Sequence, residues 1–142
     1  MQFVRTLTVP APADRVFAYL SDFTTTTEWD PATVRTERVS GDGGVGTRYR
    51  NVSRFMGREA EVSYVVTQLE PGRRIVLRGE NSSLVAHDDM TIDGAASGST
   101  VTYSASFELK GWRKVAAPLL APALKRLVDD GADGLRRALH AL

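Results

Sequence analysis

Asp88 is the side chain in this 142-residue sequence whose setting most suggests chemistry. Between Leu84 and Ile92 every second residue is apolar (Leu84, Ala86, Met90, Ile92), and Asp88 falls in that same register. Alternate residues of a strand share a face, so this carboxylate points where its apolar neighbours point. A buried carboxylate is costly unless paired, so it has either a partner or a raised pKa. Either state suits a ligand anchor or a general base. A bulge would instead turn His87 inward and leave Asp88 in water. Tyr49, Tyr64 and Tyr103 lie in the inward register of three other segments. Taking a proton next to a carbonyl and then releasing water needs a base and an acid. The catalytic candidates are therefore Asp88 as base with Tyr49, Tyr64 or Tyr103 as donor. The same tyrosines also read as core residues whose hydroxyls are satisfied at a rim.

Other patterns carry less. Cysteine is absent, which removes disulfides, thiolate metal sites and cysteine nucleophiles. His87 and His140 are the only histidines, too far apart in sequence to suggest a metal set, so no metal and no cofactor is expected. His140, near a helix end, suits the negative end of the helix dipole. Gly41-Asp42-Gly43-Gly44-Val45-Gly46 matches the spaced glycines of a dinucleotide loop, but a strand rather than a helix follows it, so it reads as a hairpin turn. There is no nucleophile elbow and no phosphate loop.

The elements that must position Asp88 follow from pattern. Residues 2–9 alternate as a first strand. Pro10-Ala11-Pro12 stops it, and Val16, Phe17 and Leu20 give the next helix its apolar stripe. Thr25-Thr26-Thr27-Glu28 reads as a capping box opening a second short helix, which Trp29-Asp30-Pro31 closes. Six more strands are expected near 33–40, 46–55, 58–69, 73–79, 84–92 and 100–109, separated by short runs of turn formers that favour antiparallel hairpins. From 113 to 142 the apolar spacing becomes three and four, a helical face, with Pro118 and Pro122 expected to kink or divide its start. The sheet must bury its apolar face, and the last helix is the only large apolar surface available. The expected fold class is α+β: a helix-grip fold over 1–142 as one domain, with a seven-stranded antiparallel sheet curved around a long C-terminal helix and two short helices after strand one.

Register also sorts the faces. Arg48, Arg50 and Arg54 share one face and belong in water, with Glu59 and Glu61 outward opposite them. The inward face is then apolar with a few polar tips, as in a small-molecule pocket. The expected ligand-binding residues are Trp29, Tyr49, Asn51, Phe55, Tyr64, Leu77, Asp88, Met90, Tyr103 and Phe107, with Asn51 and Asp88 orienting the ligand. Gly131, on the apolar face of the last helix, either leaves space for a ligand or lets the helix approach the sheet.

Bulk properties exclude some classes. The formal charge is +1, from 18 basic and 17 acidic residues, without a basic stripe, so no nucleic-acid partner is expected. The longest apolar run, Val115 to Leu124, holds two prolines and is half of the ~20 residues a membrane span needs. The opening residues alternate like a strand and lack an apolar signal core, so a cytoplasmic protein is expected.

The order and spacing of several segments complete the reading: Val9-Pro10-Ala11-Pro12-Ala13-Asp14-Arg15-Val16-Phe17, then Asp22-Phe23, Glu28-Trp29-Asp30-Pro31, Gly46-Thr47, Leu69-Glu70-Pro71 and Gly98-Ser99-Thr100-Val101-Thr102-Tyr103. In these the chain resembles the START-like (SRPBCC) superfamily, in particular its polyketide cyclase/dehydrase-like branch. The resemblance covers nearly the whole chain and implies a hydrophobic cavity between sheet and helix. It maps no shared catalytic signature onto these residues, and fold analogy does not choose a function. The first reading is a binding or transport protein for a small hydrophobic or aromatic ligand, polyketide-like or lipid-like. The second is a cyclase or dehydratase using the same cavity, against which the lack of an inward histidine weighs. The third is a protein-interaction module, which would need a filled core beside an exposed apolar patch.

Overall fold

In the computed structural model, which describes residues 1–142, the seven strands form one antiparallel sheet in the order β1-β7-β6-β5-β4-β3-β2. They are β1 (Gln2–Val9), β2 (Thr33–Ser40), β3 (Arg48–Phe55), β4 (Arg58–Glu70), β5 (Arg74–Glu80), β6 (Leu84–Ala95) and β7 (Gly98–Leu109). Two short helices, α1 (Ala13–Leu20) and α2 (Thr26–Trp29), follow β1, and the long helix α3 (Ala117–His140) ends the chain against β1, β7 and α2. Every hairpin joins neighbours in the sequence, and only β1 pairs out of turn, with β7. This is the expected helix-grip arrangement. No helix is long and apolar enough to cross a membrane.

The cross-strand register sets the inner face in rows. Tyr49, Tyr64, Gly79, Ala86 and Phe107 form one row across β3 to β7. Val66, Leu77, Asp88, Ala105 and Phe3 form the next, and Leu69, Ile75, Met90 and Tyr103 the one after. No bulge interrupts β6 against β5 or β7, so Asp88 points inward, and His87 pairs with Arg78 and Ser106 on the opposite face. The outer arginines find their acids: Arg50 bridges Glu61 and Arg54 bridges Glu59, each at 3.1 Å.

Four local expectations need correction. The β6–β7 strands run on past the expected gap at 93–98, because Asp93, Gly94 and Ala95 pair with Thr100, Ser99 and Gly98, leaving Ala96-Ser97 as a two-residue turn. Gly98 has φ of +139° and lies against the Val9 carbonyl where a Cβ would collide. The capping box does not form. Thr25 Oγ1 donates to the carbonyls of Tyr19 and Asp22, and Glu28 accepts from the Tyr19 hydroxyl at 3.0 Å instead. The long helix begins at Ala117 rather than 113, behind a 3-10 turn over Gly111–Ala116. Nor do the prolines divide it: Pro118 sits in the first turn, where a missing N–H costs little, and α3 continues through Pro122.

The apolar core occupies one end of this arrangement. Leu7, Val16, Leu20, Ile75, Leu77, Ile92, Val101, Leu135 and Leu139 are almost fully buried between the sheet, α1 and the C-terminal half of α3. The other end, under the 3-10 turn and the first half of α3, is hollow.

Candidate functional site: a part-open cavity with unpaired polar groups

The hollow end holds a cavity of about 650 Å³. Its apolar wall comes from two layers. The sheet contributes Phe55, Val62, Leu84, Ala86 and Phe107, and α3 contributes Leu120, Leu124, Leu127 and Val128. Exposed Met56, Arg58 and Trp112 border its opening, with Arg113 stacked 4.9 Å over the Trp112 ring. A volume in this range suits a small-molecule site, mostly apolar with a few polar groups aimed in.

Three of those polar groups have no protein partner. Asp88 is 9% exposed, and no backbone or side-chain donor reaches its carboxylate. The Tyr64 and Tyr103 hydroxyls border the same space, likewise without a hydrogen bond to the protein. Tyr64 fits because Gly79 faces it across the strands. A Cβ at Gly79 would come 2.6 Å from the Tyr64 ring, so the missing side chain makes room for the ring over β5. Tyr103 lies diagonally from Asp88, two residues from Asp88's partner Ala105, and its outer edge is held by Trp29 in an edge contact of 6.1 Å.

A fourth group, Asp30, was not among the expected site residues. It follows α2, where its Oδ1 accepts from the Ala32 N–H at 3.0 Å and its Oδ2 from the Thr33 hydroxyl at 3.0 Å. Those bonds make a turn of the Asx kind and fix the carboxylate at the cavity wall. In sequence the residue reads only as part of a helix stop before Pro31. Nothing local marks it as facing a cavity, because α2 and α3 bring it there together.

The electrostatics follow from this burial. Desolvation pushes the Asp88 carboxyl up to about 7, and the Asp30 charge adds to the rise. Asp30 is raised mainly by burial, and its two hydrogen bonds oppose that rise. The Tyr64 and Tyr103 phenols are held well above their ordinary value by burial and by both carboxylates. At neutral pH the site therefore holds two neutral phenols and, at Asp88, one carboxyl near its midpoint. Groups poised in this way are characteristic of sites that bind polar atoms or move protons.

Of the ten expected ligand residues, Asn51, Phe55, Tyr64, Asp88, Tyr103 and Phe107 border the cavity. Both ends of the Asn51 amide are engaged, Nδ2 donating to Thr36 Oγ1 at 2.9 Å and Oδ1 accepting from Ser53 Oγ at 2.6 Å. Trp29, Tyr49, Leu77 and Met90 lie instead in the packed core. Tyr49, a candidate proton donor, has its ring against Phe23 and its hydroxyl beside the Phe23 backbone, away from the Asp88 cluster. Alternation puts all four residues on the inner side, but it does not say which part of that side is filled. Gly131 borders the cavity and meets nothing closely: an added Cβ would lie 3.8 Å from Trp29 and 3.9 Å from Asp30. The close helix approach occurs one turn on, at Gly134, where a Cβ would overlap the Trp29 carbonyl.

Comparison with known proteins places these features in a wider set. The family model for polyketide cyclase/dehydrase and lipid transport matches residues 1–140. No curated protein matches the chain in sequence. Among solved structures, the chain is similar to the Zhui aromatase/cyclase from Streptomyces sp. R1128, with a TM-score of 0.84, 16% identity, and coverage of 98% of this chain and 93% of that one. A protein from Thermus thermophilus superposes with a TM-score of 0.83 at 17% identity, covering 99% and 98% of the two chains. A START superfamily protein from Mycobacterium smegmatis gives 0.76 at 16% identity, covering 99% and 94%. At these identities the structural likeness speaks to the fold.

Proposed function

Because the chain belongs to the polyketide cyclase/dehydrase and lipid transport family, we propose that its cavity binds and carries a small hydrophobic or aromatic molecule with at least one polar group. The observation that carries this reading is the pairing of about 650 Å³ of largely apolar space with three polar side chains that no protein atom satisfies. Their polar atoms reach the cavity space with no protein partner, so a ligand's polar atoms can take up their hydrogen bonds. Phe55, Phe107 and the α3 leucines would hold the apolar body, Asn51 would shape one wall, and Asp88, Tyr64 and Tyr103 would orient the polar end.

A thermal-unfolding screen against aromatic polyketides, flavonoids, sterols and fatty acids tests the proposal. A ligand at one hundred times its dissociation constant adds ~2.7 kcal/mol. For a chain of this length that is a rise in Tm of roughly 5–10 °C. A shift confined to one chemical class supports the proposal. No shift with any class, in protein stripped of co-purified molecules, removes it.

A second reading, a cyclase or dehydratase, has its own support in the Asp88 carboxyl at about 7 beside two neutral phenols. In that reading ionised Asp88 takes a proton next to a substrate carbonyl, while Tyr64 or Tyr103 donates a hydrogen bond to the oxygen that gains charge. Asp88→Asn should then lower turnover of a poly-β-ketone at least a hundredfold. Full turnover in that variant excludes Asp88 as the base. The third reading, an interaction module, asked for a filled core, and the cavity removes that support.

A further inference from the structure

What sets the cavity acids apart is burial without a cation. Several acids at the surface pair with cations: Glu61 with Arg50, Asp89 with Arg74, Asp129 with Arg5 and Lys125, Glu80 with Arg78 and Lys110, and Glu59, at the cavity margin, with Arg54. Asp88 and Asp30, the two acids that line the interior of the cavity, form no ion pair, although burial makes an unpaired carboxylate most costly there. The basic side chains bordering the cavity, Arg58 and Arg113, belong to the β4 end of the β3–β4 turn and to the 3-10 turn, both at the opening. The inner surface is thus acidic and aromatic, with no cation of its own.

We propose that this acidic, aromatic floor, formed by Asp88, Asp30, Tyr64, Tyr103 and Phe107, selects hydrophobic molecules that carry a protonated amine and rejects hydrophobic carboxylates. The proposal rests on the cavity being a ligand site and names the class of ligand it takes. An ammonium group has three N–H donors and no acceptor. The unpartnered Asp88 carboxylate and the Tyr64 and Tyr103 hydroxyl oxygens supply three acceptors, one of them charge-assisted. Asp88 is nine-tenths buried, and no protein donor competes for it. Aromatic ring faces beside a carboxylate attract a cation further. Asp30, held by Ala32 and Thr33, is a second acidic group that does not have to move to meet the ligand. A ligand carboxylate would bring a third acidic group into the same apolar space. A neutral alcohol would make hydrogen bonds there but gain nothing from the charge.

The test uses three probes that share one ring system: 1-pyrenemethylamine, 1-pyrenemethanol and 1-pyrenecarboxylate. Each is titrated into the full chain at pH 8 and followed by fluorescence anisotropy. The amine should bind at least tenfold more tightly than the alcohol, and the carboxylate more weakly than the alcohol. In Asp88→Asn or Asp30→Asn the amine-to-alcohol ratio should collapse to within about threefold, with folding checked by circular dichroism. A collapse in either variant supports the proposal. Equal binding of amine and alcohol, tightest binding of the carboxylate, or a ratio that persists in both variants overturns the charge selection while leaving the cavity a ligand site. Binding of none of the three overturns the selection, and the thermal-unfolding screen then decides the ligand-site reading on its own.

Discussion

The same sheet and the same last helix are packed solid at one end and left open at the other, and the difference lies in what covers them. Under α1, α2 and the C-terminal half of α3, the inner-face residues Leu77, Met90, Ile92 and Val101 meet Val16, Leu20, Leu135 and Leu139, and almost no surface stays exposed. Under the 3-10 turn and the N-terminal half of α3, Phe55, Val62 and Phe107 face Leu120, Leu124 and Leu127 across the cavity. The 3-10 turn buries none of its own residues, and Trp112 is 73% exposed. One end is therefore built for stability. The other gives up packing and leaves Asp88 unpaired, a pattern expected where function competes with stability.

The widest separation between the two ends should come from deleting matched leucines. Leu77→Ala removes a fully buried side chain from the solid end and should cost ~2–5 kcal/mol. Leu127→Ala trims a wall that already faces open space and should cost less than ~1 kcal/mol, since few contacts are lost. Urea unfolding of both variants measures the gap, and equal losses would mean that the hollow end is packed as tightly as the core.

The next effect is electrostatic. The folded-state pKa of Asp88 is about 7, above the ~3.9 of an unfolded aspartate. Between those values the folded chain holds a proton that the unfolded chain releases. Stability from this group is thus full below pH ~4, falls as pH rises, and is lost above pH ~7. Three pKa units correspond to at most ~4 kcal/mol. Asp88→Asn does not titrate, so its stability advantage over the parent should widen from pH 4.5 to pH 8. Denaturation curves at the two values check this, and a constant difference would place Asp88 in a solvated or paired setting.

The smallest contrast uses two glycines one turn apart on α3. Gly134→Ala drives a Cβ into the Trp29 carbonyl and should destabilise by ~1–3 kcal/mol. Gly131→Ala meets only ordinary contacts and should stabilise by up to ~1 kcal/mol through helix propensity. Thermal melts of the two variants should move in opposite directions. A loss at both positions would show that helix approach, rather than cavity space, governs them, and a gain at both would remove the clash at Gly134.

Local pattern carried a large part of this protein. Period-two alternation placed seven strands and their inward faces, including Asp88, Tyr64 and Tyr103, because a strand has only two faces and a row of arginines marks the wet one. Steps of three and four placed the last helix, and the turn residues placed the hairpins. Those signals repeat over neighbouring residues, so they survive without tertiary context. What they left open was decided by contacts distant in sequence. The β6–β7 hairpin lengthened because both strands found partners through Gly98, and the α2 cap was rearranged because Glu28 met Tyr19. Trp29, Tyr49, Leu77 and Met90 went to the core because α1 and α2 cover that end, while Asn51, Phe55 and Phe107 were left on the cavity wall. Asp30 joined the floor because a turn at Pro31 meets α3 more than a hundred residues later in the chain. Sequence by itself determined which side chains face inward. Only the tertiary structure decided which part of that inward face is filled and which is left for a ligand, because filling depends on the elements that cover it and not on the residues that line it.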